Sequence, residues 1–131
     1  MSKIKEVEIE KLLTRARRDT EVLAVLIFGS AARDEQVPFS DVDICLVMTP
    51  RPFRPNTLSH KRLEYMKENS LDVRIFQQLP IYIRVRVLKE GRILFVRDEN
   101  QLYELAFRTA QAFEDFKHIY HEYLREVELA G

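Results

Sequence analysis

The spacing of apolar residues changes several times along this chain, and each change marks a structural element. Ile9, Leu12, Leu13 and Ala16 fall three or four residues apart, the repeat that lines one face of a helix, which predicts a first helix from about residue 3 to 18. The next run, Val22-Leu23-Ala24-Val25-Leu26-Ile27-Phe28, is apolar without interruption, as expected of a strand covered on both faces. Further strands are predicted at 42–48 and 71–76, with a helix over 58–67 between them. Segment 49–56 carries Pro50, Pro52 and Pro55 and is expected to be a loop, because proline lacks the amide that helix interiors and central strands require.

Segment 81–89 has two periods at once. Ile81, Ile83, Val85 and Val87 alternate like a strand, while Ile81, Val85 and Leu88 fit a helix face. The following Lys89-Glu90-Gly91 reads as a helix stop with a glycine cap, so a helix is expected, followed by a short strand at Arg92–Val96. Over 101–127 the residues Leu102, Leu105, Ala106, Thr109, Ala112, Phe113, Phe116, Tyr120, Tyr123 and Val127 describe one long amphipathic helix. Strands alternating with helices imply an α/β (α+β) architecture: a mixed sheet of about four strands with helices packed against it, and a long C-terminal helix.

At 131 residues with 46% hydrophobic content, the chain has enough material for one core, and a single domain spanning 1–131 is expected. The 21 basic residues balance the 21 acidic ones, so strong general binding to nucleic acid is disfavoured. Cys45 is the one cysteine and sits in an apolar run, which excludes an internal disulfide and suits a reducing compartment. With no apolar stretch of membrane-spanning length and a charged N-terminal segment unlike a signal peptide, no membrane association is expected and a cytoplasmic location is.

The candidate chemistry lies at strand ends. Gly29-Ser30 follows the first predicted strand, where a main chain without a Cβ can approach a phosphate and a serine hydroxyl stands beside the amides of the next turn. On its own, that pair reads first as an ordinary turn with a capping serine. Ser40-Asp41-Val42-Asp43 opens the second strand. In extended backbone Asp41 and Asp43 leave one face about 6–7 Å apart, while Val42 and Ile44 enter the core. Two such carboxylates repel one another unless a cation joins them, and hard divalent ions such as Mg²⁺ prefer carboxylate oxygens, though an Asp-x-Asp taken alone reads first as a solvated turn. Asp72 interrupts the third strand, either as a further carboxylate of the same site or as an edge residue paired to Arg74. His60, His118 and His121 form no zinc pattern and are expected on the surface.

Taken together, Phe28-Gly29-Ser30-Ala31-Ala32-Arg33, Ser40-Asp41-Val42-Asp43-Ile44 and Leu71-Asp72-Val73 resemble the motifs of the minimal nucleotidyltransferases, in the DNA polymerase β-like superfamily. Asp34 stands where the family commonly has glycine, and Arg74 is unusual for this strand. The resemblance implies a metal-dependent enzyme that transfers a nucleoside monophosphate, AMP from ATP, to an acceptor hydroxyl. Asp41, Asp43 and Asp72 would be its catalytic metal ligands for two Mg²⁺ ions, with Mn²⁺ an alternative, and Gly29, Ser30 and Ser40 would bind the nucleotide phosphates. The segment from Phe113 to Arg125 further resembles the last helix of antitoxin members that pair with HEPN-domain toxins. It implies a hetero-oligomer in which the enzyme modifies its toxin, by adding AMP to a hydroxyl such as that of tyrosine. Two other readings share the motifs: a small-molecule nucleotidyltransferase of the antibiotic-modifying kind, and an antitoxin that acts by binding alone.

Overall fold

The computed structural model describes residues 3–29, 42–67 and 70–130. Its elements run α1 (Lys3–Arg18), β1 (Val22–Phe28), β2 (Asp43–Met48), α2 (Pro55–Met66), β3 (Asp72–Ile75), α3 (Ile81–Glu90), β4 (Arg92–Val96) and α4 (Glu99–Ala130). The strands form one mixed sheet in the order β3-β2-β1-β4. β1 lies antiparallel to both β2 and β4, while β2 and β3 run parallel. A hairpin cannot join parallel neighbours, and α2 accordingly serves as the crossover between β2 and β3.

The uninterrupted apolar run of β1 is explained by cores on both faces of the sheet. On one face Val22, Val25 and Ile27 pack with Ile44, Leu46, Met48, Val73 and Ile75 against Ile9, Leu12, Leu13 and Ala16 of α1 and Leu58 and Tyr65 of α2. On the other, Leu23, Ala24, Leu26, Cys45 and Val47 meet Val87 of α3 and Leu102 of α4. A bulge between Val22 and Ala24 accounts for two successive residues, Leu23 and Ala24, facing the same core. Each of the larger side chains contributes about 1.5–3 kcal/mol by leaving water.

Several boundaries differ from expectation. α2 starts at Pro55, inside the expected loop, because the first turn of a helix does not need the missing amide. β3 ends at Ile75, and Phe76–Gln78 forms a 3₁₀ turn. There the Gln77 side chain replaces a strand residue: its Oε1 accepts from Met48 N–H at 3.1 Å and its Nε2 donates to Met48 O at 3.0 Å. α4 begins at Glu99, where Asp98 Oδ1 accepts the Gln101 N–H at 3.1 Å and so caps the first turn, and it runs on to Ala130. α3 is a helix and stops at Gly91 as its sequence suggested, but Gly91 has φ −70° and ψ 153°, so left-handed backbone is not the reason for glycine. A Cβ there would collide with the Val87 carbonyl oxygen, so the close turn into β4 requires its absence.

Polar contacts join the helices to the sheet. Arg97, just after β4, donates through Nε to Val22 O at 2.9 Å and through Nη2 to Ala16 O at 2.9 Å and to Arg17 O and Asp19 O at 3.1 Å. A cation thus stands at the negative end of α1. Lys61 of α2 bridges Asp19 at 3.0 Å and Glu21 at 2.8 Å, and the Tyr65 hydroxyl donates to Asp19 Oδ2 at 2.9 Å. Partial burial pushes the Asp19 carboxyl up, but the bonds from Lys61, Tyr65 and the Glu21 amide outweigh it and hold Asp19 below its ordinary 3.8. Burial pulls Lys61 down, and its bonds to Glu21 and Asp19 outweigh that and raise it above 10.5.

Linkage gives this network a part in both limbs of the stability profile. The Asp19 contribution is present above pH 3.8 and lost as pH falls through the lower folded value; the Lys61 contribution is complete below pH 10.5 and lost as pH rises through the higher one. Asp19→Ala is expected to cost about 1–3 kcal/mol at neutral pH and to flatten the acid limb. Thermal melts of both proteins across the acid range check this, and an unchanged neutral melting temperature would refute the role given to the network.

Candidate active site

Three neighbouring strands bring the predicted motif residues to one end of the sheet. Phe28, last in β1, pairs with Asp43, first in β2, and Asp43 pairs in turn with Asp72, first in β3. The two aspartates therefore stand on adjacent strands, about 4.8 Å apart at the backbone. Alternation assigns their face. Ile44, Leu46, Val73 and Ile75 belong to the core under α1 and α2, so Asp43 and Asp72 leave toward the α3 side, as do Cys45 and Val47. Val42 and Ile44 enter the core, as the sequence suggested.

Gly29 follows at once with φ +79°, a left-handed backbone that suits glycine. A Cβ on it would lie 2.5 Å from Asp43 Oδ2. The carboxylate is thus seated against the glycine backbone, in space that any other residue would fill. Beside them, a cleft of about 150 Å³ is lined by Phe28, Gly29, Ile83, Arg86, Val87 and Glu90, with apolar walls and the Arg86–Glu90 ion pair at 3.7 Å.

Asp72 joins Asp43 and also makes the ion pair that was its alternative reading. Arg74 approaches it with Nε 3.4 Å from Oδ1, and its Nη2 donates to Oδ2 at 3.4 Å. Arg62 of α2 places Nη2 3.6 Å from Asp72 Oδ1 and donates through Nε to Val73 O at 2.6 Å. Since β3 is an edge strand, Arg62 satisfies a carbonyl that has no neighbouring strand to receive it. Neither Arg62 nor the α3 residues of the cleft were legible as site residues, because an arginine on an amphipathic helix reads as solvated surface until the edge it reaches is known.

Of the other expected site residues, Ser30, Ser40 and Asp41 lie outside the described residues, as does Arg33. Among the described residues no group of three or more aspartate, glutamate, histidine or cysteine side chains comes together. Asp43 and Asp72, level on adjacent strands and on one face, would offer hard oxygen donors of the kind a magnesium-type cation takes, beside the space kept open by Gly29. The histidines are on the surface: His60 pairs with Glu64 at 3.1 Å and His118 with Glu122 at 3.3 Å. Cys45 is buried, and burial pushes its thiol up to about 12, far from reactivity.

Residues 10–100 match the polymerase β nucleotidyltransferase family. A protein of Methanocaldococcus jannaschii assigned as a protein adenylyltransferase is 33% identical over 100 residues, 75% of this chain and 75% of that protein. Among solved structures, a chain from a toxin-antitoxin complex with AMP-PNP superposes with a TM-score of 0.66 at 16% identity, over 90% of this chain and 97% of that one. A chain from the complex of tri-AMPylated Shewanella oneidensis HEPN toxin with MNT antitoxin gives 0.65 at 13% identity, over 93% and 97%. At such identities the structural likeness concerns the fold, while the family match and the relative in sequence carry the assignment. On the family match and the relative in sequence, this chain belongs to the polymerase β-type nucleotidyltransferase family and is a nucleotidyltransferase.

Proposed function

We propose that the chain transfers AMP from ATP to a hydroxyl of a partner protein, a HEPN-domain toxin, and acts as the antitoxin of that pair in the cytoplasm. The observation that carries the reading is the in-register pairing of Asp43 with Asp72 beside Gly29. Support for a protein acceptor comes from the relative assigned as a protein adenylyltransferase and from the toxin-antitoxin complexes that share the fold.

In this reading Asp41, Asp43 and Asp72 hold Mg²⁺, two ions in all, with Mn²⁺ an acceptable substitute. The bound ions would neutralise triphosphate charge and ease loss of the acceptor proton. Gly29 offers its amide to the phosphates, with Ser30 and Ser40 adding hydroxyls. Asp72, through a carboxylate oxygen, helps take the proton of the acceptor hydroxyl. The acceptor oxygen bonds to the α-phosphorus, the bond from that phosphorus to the bridging oxygen breaks, and pyrophosphate leaves.

α4 supplies a surface for the partner. It is about 48 Å long, yet every residue from Glu114 to Ala130 is exposed. Phe116, Tyr120, Tyr123 and Val127 line one side of this stretch, continuing the stripe whose earlier members, Leu102 and Thr109, are buried, and the Phe116 and Tyr120 rings stack at 6.1 Å. Exposed aromatics in a row are the composition of a protein contact. Among the described residues no helix is long and apolar enough to cross a membrane.

Incubation with labelled ATP, Mg²⁺ and the co-encoded protein tests the proposal. Label on that protein is the expected result; label on a small amine or alcohol would replace this reading with the small-molecule one, and a complex without label with binding alone. Asp41→Asn and Asp43→Asn are each expected to lower transfer by more than about 100-fold with the fold intact by circular dichroism. Gly29→Ala introduces left-handed strain and displaces the Asp43 carboxylate; a melting temperature lower by a few degrees and a loss of about 100-fold in turnover are expected. Tyr120→Glu combined with Tyr123→Glu is expected to weaken the complex by more than about 10-fold without changing the melting temperature, as titration calorimetry would read.

A further inference from the structure

Asp72 is held by two arginines that are attached to the fold in different ways. Arg62 is anchored independently of the carboxylate, since its Nε donates to Val73 O at 2.6 Å while its Nη2 stands 3.6 Å from Asp72 Oδ1. Arg74 lies two residues along the same strand and on the same face, with a side chain 47% exposed, and its polar contacts among the described residues go to Asp72 alone. Both of its contacts are 3.4 Å, long for a charge-assisted bond. The sequence motif does not call for an arginine at this place, and the transfer reaction as described above gives it no task.

The electrostatics of the pair supply one. Asp43 and Asp72 stand side by side, and without a cation between them each would disfavour the charge of the other. A guanidinium over Asp72 relieves that repulsion. A divalent ion bound by both carboxylates carries twice the charge and competes for the same oxygens. Of the two arginines, the exposed one with no other described contact is the one that can withdraw into water at little cost. Arg62 keeps its bond to the Val73 carbonyl and continues to position the strand.

We infer that Arg74 is a displaceable counter-ion for Asp72: it holds the carboxylate while no divalent cation is bound and yields it when one binds, and so sets the cation concentration at which the site fills. This rests on the proposed reading that Asp43 and Asp72 hold the cation. Arg74 is in this sense a positioning residue, acting through Asp72.

The test is titration of the full chain with Mn²⁺, the free ion being followed by its paramagnetic resonance signal, with no nucleotide present. Arg74→Gln is expected to tighten Mn²⁺ binding by about five-fold, the size of one exposed ion pair. Arg74→Lys, which keeps the charge, is expected to stay within about two-fold of the parent. In an Asp72→Asn background the Arg74→Gln effect is expected to vanish, because the cycle isolates what passes through that carboxylate. Unchanged or weaker binding in Arg74→Gln overturns the inference, and so does an equal tightening in the Asp72→Asn background, which would mark a general field effect. If Asp43→Asn leaves Mn²⁺ binding untouched, the cation reading itself fails and the inference falls with it; if Asp43→Asn weakens binding and Arg74→Gln does nothing, only the inference falls.

Discussion

Position of the site depends on one pairing: β2 lies between β1 and β3, with Phe28, Asp43 and Asp72 level across the three strands. Like charges opposite each other on adjacent strands destabilise a sheet, so the pairing is not held by the aspartates. It is held by the residues immediately behind them. Ile44 and Val73 form the next level and are wholly buried, and Cys45 is buried on the opposite face. A slip of β2 by one residue would drive Asp43 into the core under α1 and α2 and turn Ile44, Leu46 and Met48 away from it. The apolar core thus enforces a juxtaposition of charges that the charges themselves oppose, and Arg62 and Arg74 compensate from the side.

The helices extend that control. Lys61 and Tyr65 fasten α2 to the turn between α1 and β1 through Asp19, and Arg62, on the next position of the same helix, reaches around the sheet edge to Val73 and Asp72. Docking of α2 in the core and placement of the Asp72 carboxylate are therefore mechanically one thing. Arg97 does the same for α1, binding the carbonyls at its end and the first strand residue at once. On the opposite face α3 forms a wall of the cleft beside Gly29 and packs against α4.

For a nucleotidyltransferase of this size, the arrangement divides the labour. The end of the sheet carries the two aspartates, held by buried strands, while the outer half of α4 presents apolar and aromatic groups that the described residues do not cover. Preorganised charge at a sheet end suits a reaction in which positioning and electrostatics do most of the work. In the proposed reading, the exposed helix is the means of bringing the acceptor to the site.

Local period determined much of this by itself. Helices α1 and α4 and strands β1 and β4 follow from runs of apolar residues read a few positions at a time, α3 needed the glycine stop after an ambiguous period, and the burial of Ile9, Leu12, Leu13 and Ala16 agrees with their spacing. Gly29 and Asp43 were legible as candidate site residues only through the combination of motifs, since each alone reads as an ordinary turn. What only the tertiary structure decided is pairing across distance: that Asp43 stands level with Asp72, that both meet Arg74 and Arg62, and that Gly91 is needed for contact with a carbonyl rather than for its own backbone angles. Strand register and the reach of a long side chain are settled by packing between segments remote in sequence, and no periodicity within one segment encodes where its partner will stop.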